Sequence, residues 1–428
     1  MNLKVYHLSC LTILFLTIFH KWTSLAILTI AWTFQIGSLI LACITLKTPR
    51  YDGVKEKLKR KCYENTGVTI LKPLLGNFDT LEENLETFFT LEYPTFEIIF
   101  CVEDEKDESC AIIKKLQEKY PDVSCFISEG KIEGTNPKIC NMITGYKVAN
   151  FDLIWIADAN VIASDAALQD MVDKCLSGYP LVHQIPWGVA GPKCESTHGA
   201  LTFGSALKRW YFATAHARPY FVFNYTISTC LNGMSHLISK KHLDNIGGLE
   251  KFSNTISEDS DIGFIFDQYG YETILCKHPA IQNLSSNSIS NYIDRRVRWA
   301  RIRNNNSKTM YATPFEIIID SHLFGLLCWS LFSTNAIYHL MAWLLVDCIQ
   351  FVIMDNATAL PISWQNNNIY WGKITNKKRS VYYFIYNMVE HYIMWLVREC
   401  LGLYVRFKAI QSNTVVWKDK TIPLEKND

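Results

Sequence analysis

Two neighbouring carboxylates and a distant cluster of arginines carry the chemistry in this sequence. Ser257-Glu258-Asp259 follows a Gly247-Gly248 turn, and further on Arg295-Arg296-Val297-Arg298-Trp299 reads as R-x-x-R-W. On a helix, positions i, i+3 and i+4 share a face, so Arg295, Arg298 and Trp299 are expected to project together. Two fixed cations beside an indole suit a diphosphate leaving group. A carboxylate such as Asp259 suits removal of a proton from an attacking hydroxyl. The same residues also suit a basic amphipathic helix lying on a membrane, with the acidic pair capping a helix.

Something must hold these groups, and the text from Val68 onward supplies it. Val68–Leu74, Phe96–Val102, Val123–Ser128 and Asp152–Ala157 read as buried strands, and Thr80–Leu91, Cys110–Tyr120 and Pro137–Val148 as helices between them. That β-α-β-α order predicts an α/β fold, a doubly wound and mostly parallel sheet with helices on both faces. Ligands of such sheets sit beyond the carboxyl ends of the strands. Two strands end there in acids: Asp104 with Asp107, and Asp158-Ala159-Asn160. Asp158 and the amide oxygen of Asn160 suit a hard cation, since Mg2+ takes few protein carboxylates and fills its shell with phosphate and water. Either acid also suits a helix N-cap. Gly134-Thr135-Asn136-Pro137-Lys138 opens a helix, where backbone N–H groups and Lys138 face an anion or, on the plainer reading, water. No Walker A or G-x-G-x-x-G sequence is present, which argues against an ordinary NTPase or dinucleotide site.

Hydrophobic residues make up 49% of the 428 and aromatics 13%, with only 19% charged, a balance that points to a membrane protein carrying a soluble domain. The net charge of +1 excludes a globally basic nucleic-acid binder. Fourteen cysteines without any C-x-x-C pair fit reduced thiols in the cytosol.

Residues 1–21 form an apolar leader, and Trp22–Leu46 is long enough to cross a bilayer. The basic stretch 47–66 then places the following domain, 67–310, in the cytoplasm. Residues 311–354 read as a hairpin of two spans broken near Ser333-Thr334-Asn335, and 355–380 as a cytosolic loop. Residues 381–428 read as a further span or interfacial helix with a tail, interrupted by Glu390, His391, Arg398 and Glu399. Ionisable groups at membrane depth mark function or pairing, and Arg398 and Glu399 are expected to pair with other charges. Ile289, Tyr292, Ile293, Val297, Ala300 and Ile302 form a helical stripe suited to an anionic lipid surface. Glycosylation sequons at Asn224, Asn283 and Asn305 stay unmodified if the domain faces the cytosol.

Asp104/Asp107, Asp158, Glu258-Asp259 and R-x-x-R-W, in this order after one N-terminal span, resemble the family-2-like inverting glycosyltransferases. Gly134–Asn141, Tyr146–Asp158, Gly233-Met234-Ser235 and Arg398-Glu399 resemble the ceramide glucosyltransferases among them, over roughly Val68 to Trp417. The resemblance implies a GT-A fold and transfer of glucose from UDP-glucose to the primary hydroxyl of ceramide, at the cytosolic face of the Golgi membrane among membrane lipids. It implies Asp259 as the base, with Asp104, Asp107, Asp158, Arg295, Arg298 and Trp299 at the UDP-sugar. Lys138 joins that set from its place at a helix start. A divalent metal, Mg2+ or Mn2+, is expected at Asp158 and Asn160, although many relatives have a second aspartate where Asn160 stands. Glu258, His216 and Cys230 are expected to shape the site or meet the acceptor. Taken alone, a single histidine is more often structural, and Cys230 reads as a small buried apolar residue. The rival readings are another membrane glycosyltransferase, acting on a polyprenyl-phosphate or polysaccharide acceptor, and an inactive membrane scaffold. A polymer channel ordinarily takes more spans than this chain has, and the intact Glu258-Asp259 and R-x-x-R-W argue against the scaffold.

Overall fold

A computed structural model describes residues 21–46, 63–130, 133–189, 202–226, 231–284, 287–306, 335–358, 381–417 and 420–424. Its centre is a seven-stranded sheet in the order β3-β2-β1-β4-β7-β5-β8. The strands are β1 (Val68–Pro73), β2 (Phe96–Val102), β3 (Cys125–Glu129), β4 (Leu153–Ala157), β5 (Leu181–His183), β7 (Ser235–Ser239) and β8 (Thr273–Leu275); β6 (Pro186–Val189) and β9 (Ala280–Asn283) pair separately. β1 to β4 run parallel; the apolar runs of β1, β2 and β4 suit strands covered on both faces, while β3 is a half-buried edge strand. These four strands and the helices between them fall within one or two residues of the expected boundaries.

β7 departs from the parallel pattern. It runs antiparallel to both β4 and β5. Antiparallel pairing sets the start of β7 beside the end of β4, with Ala157 opposite Ser235. The Gly233-Met234 approach therefore meets the Asp158 loop, and Asp158 N–H donates to the Met234 carbonyl at 2.9 Å.

Helices α2 (Leu81–Phe89), α3 (Ser109–Lys119), α4 (Pro137–Val148) and α5 (Asp165–Leu176) cover the sheet, with separate cores on its two faces. A helical run follows: α6 (Phe203–Tyr211), a π-helical turn (Phe212–His216) and α7 (Ala217–Thr226). α8 (Lys240–Asn245), α9 (Glu258–Gln268) and α10 (Ile289–Asn305) complete the domain.

Three further helices pack beside it: α1 (Lys21–Thr45), α11 (Ala336–Ala357) and α12 (Val381–Ile410). Leu28, Trp343 and Trp395 from the three join in one buried cluster. Among the described residues, Leu25–Thr45 and Ile337–Ala357 are long and apolar enough to cross a membrane. The expected leader (except Lys21, which opens α1), most of the basic linker, the first arm of the expected hairpin and most of the 355–380 loop lie outside the described residues. The second arm is α11. α12 is a single thirty-residue helix, followed by a hairpin of β10 (Thr414–Trp417) and β11 (Lys420–Pro423).

The stripe on α10 is partly covered: Val297 and Ala300 pack against Val405 and Ala409 of α12, while Ile289 stays exposed. The polar side of α10 is also drawn inward, with Arg296 buried and its guanidinium 4.0 Å from the Tyr211 ring centroid. The contact with α12 is invisible to a periodicity reading of α10 alone. The sequon residues Asn283 and Asn305 are buried, and Asn283 donates to Glu83 and Asn84, so neither amide can take a glycan in the folded chain.

Candidate active site

The site forms at the carboxyl edge of the sheet, where the loop after β4 begins with Asp158. That loop is pinned from beneath by Lys72, a lysine buried within the apolar strand β1. Its Nζ donates to the carbonyls of Asp158 at 2.7 Å and Val161 at 3.0 Å and lies 3.9 Å from the centroid of Phe88. Burial lowers the Lys72 pKa well below its ordinary value.

Above the loop, Lys138 is the hub. Asn136 caps α4 by accepting from Ile139 N–H at 3.2 Å, which sets Lys138 in the first turn. Lys138 Nζ lies 2.9 Å from Asp158 Oδ1 and 3.3 Å from Glu258 Oε1, and donates to the Gly233 carbonyl at 2.8 Å. Burial opposes its charge, but Asp158 and Glu258 outweigh that and raise its pKa overall. The Asn136 amide donates to Glu258 Oε2 at 2.9 Å, so a cap and an ion pair fix the same carboxylate.

Asp259 stands in the first turn of α9 beside this cluster. Its carboxylate accepts from Ser260 N–H at 2.8 Å and Gly233 N–H at 3.2 Å. Burial and the neighbouring Glu258 push its pKa up to about 6, against the pull of Lys138 and the two N–H donors. A Cβ at residue 233 would stand 2.8 Å from Asp259 Oδ2, so the backbone approaches this closely only because the residue is glycine.

The cations come from α10. Burial is the main cause that pushes Arg295 down to about 10 and lowers Arg298, while Asp158 supports the charge of both and Glu258 that of Arg298. The Arg295 guanidinium lies 4.8 Å from the Trp299 ring centroid, as the i, i+4 spacing predicts. His216 stacks on Trp299, with centroids 5.0 Å apart and planes 11° apart. Tyr211, Phe212 and Tyr220 enclose the imidazole, and burial with nearby Arg303, Arg296 and Arg295 holds it neutral, well below its usual pKa.

Residues 30–428 match glycosyl transferase family 21. The chain belongs to that family. Ceramide glucosyltransferase 3 of Caenorhabditis elegans is 31% identical over 86% of this chain and 76% of its own length. Ceramide glucosyltransferase 1 of the same organism is 30% identical over 84% and 72%. The ceramide glucosyltransferase of Komagataella phaffii is 28% identical over 83% and 81%. Among solved structures, the mannosyltransferase PcManGT from Pyrobaculum calidifontis, in complex with GDP-Man and Mn2+, aligns at 14% identity and a TM-score of 0.44, covering 90% of this chain and 98% of its own.

In this family-21 chain the expected residues divide into a converged set and an outlying one. Lys138, Asp158, Glu258, Asp259, Arg295, Arg298, Trp299 and His216 come together. Asp104 and Asp107 sit on the same sheet edge, in the loop that follows β2. Asp107 accepts from Gly76 N–H with both oxygens, at 3.0 and 2.8 Å, and from Ser109 N–H at 2.9 Å, while Asp104 accepts from Lys106 N–H at 2.7 Å. Asn160 donates its amide to Gln282 Oε1 at 3.2 Å. Cys230 lies outside the described residues.

Donor chemistry decides whether a divalent metal fits here. Asp158 offers a half-buried carboxylate with one oxygen on Lys138, and among the described residues no three His, Cys, Asp or Glu side chains form a metal cluster. That suits a hard cation bound mainly by the oxygens of its nucleotide, with Asp158 as the protein carboxylate. Sequence reasoning missed Lys72, and singled out the stretches that hold Asn136 and Gly233 without the contacts those residues make. A lysine inside an otherwise apolar strand was a legible sign of the first; the backbone contacts had no sign.

Proposed function

We propose that the chain transfers glucose from UDP-glucose to the primary hydroxyl of ceramide with inversion, giving β-glucosylceramide. The carrying observation is Asp259: a carboxylate oriented by two backbone N–H groups, with its pKa pushed up to about 6, beside the cationic cluster of Lys138, Arg295 and Arg298. A base poised near the working pH both accepts a proton readily and is mostly ionised when needed. The family-21 membership and the names of the relatives support the glucose and ceramide assignments.

On this reading the acceptor oxygen attacks the anomeric carbon from the face opposite the diphosphate. The carbon–oxygen bond to UDP breaks with its electron pair passing to the β-phosphate, and the hydroxyl proton passes to an Asp259 oxygen. Lys138, Arg295 and Arg298 hold the diphosphate and stabilise the charge that builds on it. Trp299 supplies a flat apolar wall, and neutral His216 keeps that wall in place. A divalent cation, Mg2+ or Mn2+, held by Asp158, would add Lewis-acid neutralisation of the leaving group.

The two apolar helices support a membrane-associated enzyme, which gives a lipid acceptor a short route to the site. The basic stretch after α1 supports a catalytic face in the cytosol, and we assign the Golgi as its membrane. The test supplies the purified full-length chain with labelled UDP-glucose and ceramide in mixed micelles, and the anomeric configuration of the product is read by NMR. β-Glucosylceramide is expected. An α product, a preference for UDP-galactose, or transfer only to a polyprenyl phosphate would contradict the assignment.

A further inference from the structure

The turn that presents His216 is held from the other side by the apolar helices. A π-helical turn lengthens the backbone hydrogen bonds to i+5, so it strands carbonyls outside the ordinary helical ladder. Two carbonyls of the Phe212–His216 turn, Ala213 and Thr214, accept from Gln350 Nε2 at 2.9 and 3.3 Å. Gln350 is fully buried on α11. The Thr214 hydroxyl donates to the Trp210 carbonyl at 2.6 Å and accepts from Arg398 Nη1 of α12 at 2.9 Å. Two residues past His216, buried Arg218 pairs with Asp347 of α11, which also accepts from Gln35 Nε2 of α1 at 2.7 Å and lies 3.0 Å from His391 of α12.

α11 and α12 thus place buried polar groups on one turn, while α1 reaches only α11, through Gln35. Such groups are costly in an apolar bundle, and they fix geometry only where something must be fixed. On its opposite side the turn carries the His216 ring that stacks on Trp299, which in turn carries the Arg295 guanidinium on its face. Arg398 also lies 3.4 Å from its neighbour Glu399, a contact that accounts for only part of what Arg398 does.

We infer that Gln350 and Arg398 are positioning residues, locking the Phe212–His216 turn so that His216 holds Trp299 and Arg295 at the donor diphosphate. This rests on the reading of Trp299 and Arg295 as donor-site residues. Gln350 is the sharper probe, because methionine matches its shape without its donor.

The experiment is a double-mutant cycle on the purified full chain, with Gln350→Met, His216→Ala and the pair, scored as kcat/KM for UDP-glucose. Gln350→Met should lose about tenfold with His216 present and less than about twofold without it, because residues acting through one another are not additive. Hydrogen exchange supplies a readout independent of turnover. In Gln350→Met the amides of residues 212–218 and of the α10 turn around Trp299 should exchange about tenfold faster, while the central strands stay unchanged. Should Gln350→Met fail to assemble, Gln350→Leu, a smaller apolar side chain that also lacks the donor, takes its place in both measurements. Equal losses with and without His216, or unaltered exchange around Trp299, would overturn the inference. A wild-type chain that makes no glucosylceramide would strike the proposed function instead, leaving the exchange result to decide the clamp.

Discussion

The imidazole of His216 lies parallel to the indole of Trp299, 5.0 Å away, with the Arg295 guanidinium 4.8 Å from the same indole. The indole is therefore in contact with both an uncharged ring and a cation. Residues 216 and 299 are far apart in sequence. Only the π-helical turn and the packing of α10 against α6 bring them together.

Aromatic character at residue 299 should matter more than the indole itself. Trp299→Ala removes both the stack and the cation–π contact, and should lower kcat/KM for the donor by about a hundredfold. Trp299→Phe keeps a ring for His216 and Arg295, and should cost about tenfold or less. Initial rates at varied donor concentration separate the two, and equal losses would show that the stack has no part in the site.

Acid should switch the enzyme off through Asp259. A base works only when ionised, and its pKa is raised to about 6, so turnover is expected to fall as pH drops through that value. Glu258→Gln removes a negative neighbour that raises the Asp259 pKa, so the acid limb should move to lower pH by about one unit. Lys138→Met removes a cation that lowers it, so the limb should move the other way. Rate profiles of the three proteins check both directions, and shifts of the same sign would contradict the electrostatic account.

Much of this was legible in the sequence, for identifiable reasons. β1, β2 and β4 are covered on both faces, so their apolar runs announced them, and Pro137 marked the start of α4. Arg295, Arg298 and Trp299 share a helical face, and that spacing survives into the structure. What stayed hidden depends on pairings that no local pattern encodes. The antiparallel entry of β7 brings Gly233 to Lys138 and Asp259, yet its own five residues carry no mark of direction. Part of the α10 stripe packs on α12, which lies far along the chain, so the pattern of α10 alone carried no sign of that contact. Asp107 also holds the Gly76 and Ser109 N–H groups, contacts that no local pattern encodes.

Two arginines on α10 should fail in different ways. Arg298 senses Asp158 and Glu258, so Arg298→Gln should weaken UDP binding by about tenfold or more, as measured by calorimetry. Arg301 donates to the carbonyls of Thr414 at 3.0 Å and Lys408 at 3.2 Å, tying α10 to the end of α12 and the following hairpin. Arg301→Gln should leave UDP affinity nearly unchanged and cost about 1–3 kcal/mol of stability, seen as an earlier thermal transition. The reverse pattern would mean that the two cations have been assigned the wrong tasks.

Turnover of Asp259→Asn tests the central claim most directly. The substitution keeps the size of the side chain and removes its ability to take a proton. With labelled UDP-glucose and ceramide, the variant should still bind UDP while glucosylceramide formation falls by about a thousandfold or more. A variant that turns over at the wild-type rate would show that the acceptor proton goes elsewhere, and the account of this site would not stand.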